Sequence, residues 1–147
     1  MIDLFIGIMI TSTAVIIYIY LLVKIKRDEL FTSKAVKSTN FHKELKQYQG
    51  YVICAEKSTI LYEVSLLRHV TDTIKKMEEC LLIDVTIESK NNEIDTNFIY
   101  DHRVKNIPSI LHITDEGTKE VVNLGELMNQ KNKIIVKRLE NILRQVK

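Results

Sequence analysis

The stretch Arg103-Val-Lys-Asn-Ile-Pro-Ser-Ile-Leu-His-Ile-Thr-Asp-Glu-Gly117 decides the fold class of this chain. In it, a proline leads into the apolar run from Ser109 to Thr114, which has the composition of a buried strand. The residues Asp115-Glu-Gly117 then signal a tight turn. Lys119 to Leu124 can form the returning arm of a hairpin. The stretch therefore predicts a pair of antiparallel strands.

Two more apolar runs lie upstream, Tyr51 to Ala55 and Leu81 to Ile87, and both predict buried strands. Between them, apolar side chains recur at steps of three and four from Ile60 to Met77, which is the period of an amphipathic helix. Ser58 or Thr59 is the expected N-cap of that helix.

Helical patterns complete the domain on either side of the hairpin. A polar turn at Ser89 to Asn92 precedes a short helix predicted from Glu93 to His102, and a closing helix is predicted from Glu126 to Val146. The element order is then β-α-β-α-β-β-α. This order predicts an α/β fold with a mixed four-stranded sheet flanked by helices on both faces.

The N-terminus predicts one transmembrane helix. Leu4 to Val23 contains no charged residue, and twenty helical residues cover about 30 Å, the thickness of the hydrocarbon core. A cleaved signal peptide would carry basic residues ahead of its apolar run, and none precedes Lys24. A buried core helix would rarely run twenty residues without a charged residue. The predicted organisation is an anchor (1–23), a basic juxtamembrane stalk (24–47) and a domain (48–147).

Charge is concentrated next to the anchor. Residues 24–46 carry seven basic and three acidic side chains, whereas residues 47–147 carry fourteen basic and fifteen acidic ones. This pattern favours contact with anionic lipid headgroups of the bilayer and disfavours nucleic-acid binding, which needs a basic face on the domain. The cations that follow the span predict that the domain lies in the cytoplasm.

Cysteine and histidine spacing predicts neither a metal site nor a cofactor. Cys54 and Cys80 form no CxxC pair, and the four histidines are scattered along the chain. By helix rise, Cys80 should lie at the far end of the helix from Ser58, roughly 25–30 Å away at the opposite edge of the sheet, and it should therefore not form a disulfide bond with Cys54.

The element order, together with Pro108 at the entry of the third strand, resembles the thioredoxin-like superfamily over roughly residues 45–146. With its N-terminal anchor, the chain is most similar to membrane-tethered members such as the methylamine-utilisation accessory proteins. The resemblance implies a cis Ile107–Pro108 bond close to the start of the helix near Ser58. It also implies a domain outside the cytoplasm, which conflicts with the charge rule.

One departure from the family changes the expected chemistry. Redox-active members carry two cysteines where this chain has Ser58 and Leu61, and a serine hydroxyl cannot undertake thiol–disulfide exchange. In the family, the edge beside the proline pairs with an extended client peptide, a form of strand addition. The candidate binding residues are therefore Ser58, Thr59, Ile107 and Pro108.

Three functions follow from these observations. The first is a membrane-tethered, redox-inactive thioredoxin-like module that binds a peptide or protein partner, as an accessory in export or maturation. The second is a thiol–disulfide oxidoreductase that uses Cys54 alone. The third is a structural subunit of a membrane complex, in which the transmembrane helix makes the main contact. The sequence does not name the partner or the oligomeric state.

Overall fold

The structure is a computed structural model that describes residues 2–45, 47–86, 98–128 and 132–145. The chain divides into two compact units, residues 1–33 and residues 34–147. The first unit contains one long helix, and the second is an α/β unit.

Helix α1 (Ile2–Thr32) forms the first unit. Its apolar side chains point outward, so that Ile10 and Ile16 are 64% and 66% exposed. The hydroxyl groups of Thr11, Ser12 and Thr13 donate hydrogen bonds of 2.8–3.0 Å to carbonyls three or four residues earlier. These polar groups are thus satisfied within the helix. Helix α1 is long and apolar enough to span a membrane.

The α/β unit is built on an open, mixed sheet. The described strands are β1 (Val36–Lys37), β2 (Gly50–Ala55), β3 (Cys80–Asp84), β4 (Ser109–Thr114) and β5 (Gly117–Asn123). The helices are α2 (Ser38–Glu44), α3 (Lys57–Tyr62), α4 (Val64–Lys75), α5 (Phe98–Asp101), α6 (Leu124–Met128) and α7 (Asn132–Gln145). Strand order is β1-β3-β2-β4-β5. Strands β1, β3 and β2 are parallel, and β4 is antiparallel to both β2 and β5.

The prediction of four strands is wrong, because the sheet has five. The additional strand, β1, pairs Val36 with Ile83 and Lys37 with Asp84. It lies in the polar stretch predicted to be a stalk, and two residues are too short for an alternating pattern to show. The stretch 24–47 therefore supplies the last turns of α1, and then β1 and α2.

The boundaries of other elements also differ from the prediction. The helix expected up to Met77 is divided into α3 and α4 at Glu63, whose φ and ψ are −107° and 27°. The described parts of the closing helix are α6 and α7, and residues 129–131 between them lie outside the described residues. The turn at 89–92, the first part of the helix expected at 93–102, Ile87 and Val146 lie outside the described residues.

Helices cover both faces of the sheet. On one face, a core forms beneath α2 and α5; its buried members are Phe41, Val52, Cys54, Ile83, Val85, Phe98, Leu111 and Ile113. The rings of Phe41 and Phe98 meet edge to face with centroids 5.0 Å apart. Alternation along β2 turns Tyr51 and Ile53 toward the other face. There α4 packs on β3 and contacts α7, and Leu67 of α4 and Leu139 of α7 are fully buried.

Gly50 begins the central strand β2 under two constraints. Its φ is +138°, a conformation that side-chain-bearing residues rarely adopt. A Cβ atom there would lie 2.8 Å from the Tyr48 hydroxyl oxygen and 2.9 Å from the backbone oxygen of Glu79. Gly117 has a similar φ of +130° but nothing within 4 Å of a Cβ position. A side chain at either glycine would therefore strain the backbone, but only a side chain at Gly50 would also overlap neighbouring atoms.

We expect Gly50→Ala to destabilise the protein more than Gly117→Ala. Both variants incur backbone strain of about 1–3 kcal/mol, and overpacking should add about 1–3 kcal/mol at Gly50 only. The measurement is urea unfolding of the full-length protein in detergent micelles, followed by near-ultraviolet circular dichroism of the tyrosines. Equal losses in the two variants would show that the contacts with Tyr48 and Glu79 relax without cost.

Candidate functional site

Three segments that are distant in sequence meet at one edge of the sheet. The parallel register places the last residue of β2, Ala55, beside the last residue of β3, Asp84. The antiparallel register places Cys54 beside Ser109, the first residue of β4. Pro108, which immediately precedes Ser109, therefore lies at this edge. Helix α3 also starts here, since Lys57 is two residues beyond Ala55. We call this edge, with Lys57, Ser58, Asp84, Thr86 and Pro108, the Pro108 edge.

The start of α3 is capped by a residue from the β3 segment. The backbone N–H of Lys57 donates to Thr86 Oγ1 at 2.7 Å. Asp84 Oδ1 in turn accepts hydrogen bonds from the backbone N–H and the hydroxyl of Thr86. A helix leaves its first N–H groups without intrahelical partners, and Thr86 satisfies one of them. The pair Asp84 and Thr86 therefore ties the end of β3 to the start of α3.

Ser58 is not the N-cap that the sequence analysis predicts. Helix α3 begins at Lys57, its N-cap is Glu56, and no side chain of the cap makes a capping bond. Ser58 is consequently the second residue of the helix and is exposed, while Thr59 is half-buried. Within the described residues, no histidine or carboxylate makes a hydrogen bond to the Ser58 hydroxyl.

The Ile107–Pro108 bond is cis, which confirms the expectation drawn from the family resemblance. Ile107 and Pro108 are both half-buried, and the Ile107 side chain packs against the core beneath α2 and α5. The Pro108 carbonyl accepts a hydrogen bond of 2.9 Å from the N–H of Leu124 at the start of α6. By contrast, the backbone N–H and C=O of Ile107 make no hydrogen bond within the described part of the chain.

Glu120 of β5 holds the loop that leads to Ile107. Its Oε2 accepts from the backbone N–H groups of Lys105 at 3.1 Å and Asn106 at 3.3 Å. Its Oε1 accepts from Asn106 Nδ2 at 2.6 Å. Two consecutive backbone donors of the loop are thus satisfied by one carboxylate. The sequence analysis missed this contact, because nothing in local spacing connects Glu120 to residues fourteen and fifteen positions earlier.

Behind the edge, Ser109 is a fully buried polar residue. Its Oγ has no hydrogen-bond partner among the described residues. The register places Ser109 directly opposite Cys54, so the two side chains lie on the same face of the sheet. The Cys54 thiol is fully buried as well. It therefore has no open path to a partner in solvent.

The two cysteines form no disulfide bond. Cys80, at the start of β3, pairs with Tyr51 of β2. Tyr51 in turn is three residues before Cys54 on β2. Strand geometry then gives a Cα separation of about 11 Å, still beyond the reach of a disulfide. The two side chains also lie on opposite faces of the sheet. Burial raises the pKa of the Cys80 thiol to about 12, with Lys75 opposing the shift in part, so this thiol is protonated at neutral pH.

The polar residues at the opposite end of the sheet interact with one another. The His112 ring stacks on Tyr51 with centroids 4.4 Å apart, and its Nε2 lies 3.3 Å from Glu78 Oε1. The Tyr48 hydroxyl donates to the Tyr51 carbonyl at 2.9 Å. Burial and then the negative charge of Glu78 raise the pKa of Tyr51. Among the described residues, no group of three or more His, Cys, Asp or Glu side chains could hold a metal ion.

Comparison of the chain with protein-family models, with curated proteins and with solved structures gives no match. What the Pro108 edge can do must therefore be argued from its own geometry. That geometry comprises an exposed helix start, no exposed thiol, and a backbone N–H and C=O at Ile107 that bond to no other residue in the part of the chain that the structure describes. Such an edge can bind a chain segment but cannot exchange disulfides through a surface cysteine.

We expect Thr86→Val to destabilise the protein by about 1 kcal/mol, the usual cost of losing a helix cap. Valine keeps the shape of threonine but removes the oxygen that accepts from the Lys57 N–H. Thr86→Ser keeps that oxygen and is the matched control. Urea unfolding of the full-length protein measures the loss, and amide hydrogen exchange at Lys57 should become faster in the valine variant alone. Similar exchange in the two variants would show that Thr86 does not cap α3.

Proposed function

We propose that this protein is a membrane-anchored, redox-inactive thioredoxin-like module that binds an extended segment of a protein partner at the Pro108 edge. The observation that carries the proposal is that the backbone of Ile107 makes no hydrogen bond among the described residues, at an edge without an accessible thiol. An accessory role in the export or maturation of that partner fits a binding module held at a membrane.

The membrane anchor is helix α1. Its outward-facing apolar side chains have no core of their own to pack into, and the hydroxyl groups along it are satisfied internally. A bilayer is the environment in which both features are stable. The α/β unit, with its own buried core on both sheet faces, is the part available to bind a soluble or membrane-tethered partner.

The thioredoxin-like assignment is supported by where the sheet brings two segments together. The resemblance leads us to expect a proline-led strand beside the helix that follows the first core strand. The register places Pro108 and the start of α3 at the same sheet edge. Asp84 also lies at this edge, where it supports Thr86.

The side chains at that edge support the proposed redox inactivity. Ser58 and Leu61 occupy the positions of the two cysteines in the family pattern, and both are exposed. A single-cysteine oxidoreductase would need Cys54 to reach a partner disulfide, but Cys54 is fully buried within the sheet. Attack on a disulfide requires an accessible thiolate. The binding function is therefore favoured over the oxidoreductase.

Binding by strand addition needs backbone donors and acceptors that are not already used. In the loop before β4, the N–H groups of Lys105 and Asn106 bond to Glu120, and the Pro108 carbonyl bonds to Leu124. Ile107 lies between these fixed points with both its groups available. A neighbouring chain in extended conformation can pair with it through two hydrogen bonds, and the fixed flanks keep the ordering cost small.

We expect an unfolded polypeptide to slow amide hydrogen exchange at Ile107 by about tenfold or more, because pairing as a strand would occupy that N–H. The probe is reduced, carboxymethylated α-lactalbumin, which stays unfolded and has no free thiol. It is added to the full-length protein in lipid nanodiscs. The control amides are those of Asp115 and Glu116, in the β4–β5 turn at the other end of β4. Cys54→Ala should leave the effect unchanged, since no thiol takes part.

Two results would contradict this proposal. If the probe binds but exchange at Ile107 keeps its original rate, the binding site lies elsewhere. If binding disappears in Cys54→Ala while that variant unfolds at the same urea concentration as the parent protein, a thiol is required and the oxidoreductase becomes the better account.

We further propose that the α/β unit lies on the cytoplasmic side of the membrane. Lys24, Lys26 and Arg27 follow the apolar run at once. Basic residues close to a span are retained on the cytoplasmic side.

The expected topology can be measured with two fusions to Lys147. A fluorescent protein that folds only in the cytoplasm should be bright, and alkaline phosphatase, which is active only outside it, should be inactive. Replacing Lys24, Lys26 and Arg27 by Gln should weaken this asymmetry. An active phosphatase together with a dark fluorescent fusion would place the unit outside the cytoplasm, as the family resemblance implies.

A further inference from the structure

Helix α1 continues without interruption beyond its apolar run. Its helical bounds extend to Thr32, nine residues past Val23, where the uncharged stretch ends. Because the apolar run already covers about 30 Å, the residues after it lie at the depth of the phospholipid headgroups. The fixed helical spacing therefore determines which of these side chains face the same way.

Three of them form one stripe along the helix. Tyr20, Lys24 and Arg27 follow one another at steps of four and three residues, so they fall within an arc of about 60°. Tyr20 is 66% exposed, and Lys24 and Arg27 are exposed as well. We call these three residues the basic stripe. Along α1, Lys24 lies about 4.5 Å closer to the apolar run than Arg27.

The cations of the stripe are not neutralised by any carboxylate among the described residues. Neither Lys24 nor Arg27 makes a hydrogen bond or ion pair with another residue in the described part of the chain. Asp28 follows Lys24 by four residues, but it is half-buried and engaged in an interaction of its own. Glu29 lies about 180° around the helix from Tyr20. The stripe therefore offers two free positive charges beside an aromatic ring.

We propose that the basic stripe is a binding site for anionic phospholipid headgroups. A lysine ammonium and an arginine guanidinium one turn apart can contact the same phosphate, the guanidinium in bidentate geometry. The Tyr20 ring suits the boundary between hydrocarbon and headgroup, where aromatic side chains concentrate. The site rests on the membrane anchoring of α1 proposed above. If the stripe binds such headgroups, the leaflet around the C-terminal end of α1 is enriched in anionic lipid.

The experiment uses the full-length protein in nanodiscs of equal parts phosphatidylglycerol and phosphatidylcholine. Native mass spectrometry counts the lipids of each class that remain bound when the protein is released. We expect phosphatidylglycerol to predominate, and the double variant Lys24→Gln with Arg27→Gln to lower the ratio by about fivefold for each charge removed. The swapped variant Lys24→Arg with Arg27→Lys keeps both charges and should retain most of the preference for phosphatidylglycerol. Free inorganic phosphate in excess should not displace the lipid.

The control removes the same two charges from the α/β unit, by Lys137→Gln with Arg138→Gln, both exposed residues of α7. An equal fall in that control would show that net charge, not the stripe, selects the lipid, and would overturn the inference. Equal retention of phosphatidylglycerol and phosphatidylcholine by the parent protein would also overturn the inference. If the parent protein fails to enter nanodiscs at all, the membrane anchor itself is wrong, which is a distinguishable outcome.

Discussion

The backbone pairing of β2 with β3 on one side and β4 on the other positions most of the α/β unit. All six residues of β2, Gly50–Ala55, are buried, so water cannot satisfy their N–H and C=O groups and the neighbouring strands must. The parallel register brings Asp84 beside Ala55, and the antiparallel register brings Ser109 beside Cys54. Because β3 runs parallel and β4 antiparallel to β2, the end of β3 and the start of β4 both lie beside the end of β2, where α3 begins.

An edge assembled in this way does not depend on the side chains that a redox enzyme would place there. Backbone pairing positions Pro108, and Thr86 anchors the start of α3 through the Lys57 N–H. Ser58 takes no part in either contact. Exchanging a reactive side chain for serine at this position would therefore remove thiol chemistry and leave the surrounding surface in place. Under the proposed function, binding at the Pro108 edge would therefore need no cysteine pair.

The sequence predicted those features whose cause is local. Apolar runs located β2, β3 and β4, and the Asp115-Glu-Gly117 turn located the hairpin, because both signals lie within a few residues. The missed features depend on partners far along the chain. Strand β1 exists through its pairing with β3, and Thr86 caps a helix that starts twenty-nine residues earlier. Of the candidate site, Pro108 and its cis bond were predicted, but the cap and the Glu120 contact were not.

Under the proposed function, the two units recognise their partners by forces of different range. The excess positive charge lies between Lys24 and Lys46, while residues 47–147 are almost neutral. Charge attraction reaches about 8 Å at physiological ionic strength. The basic stripe can therefore attract anionic lipids from the surrounding bilayer without a shaped pocket. Backbone hydrogen bonds require about 2.7–3.2 Å, so pairing at Ile107 selects a partner by conformation. Because the domain adds little net charge, a protein partner at the Pro108 edge would not compete with anionic lipid for the same interaction.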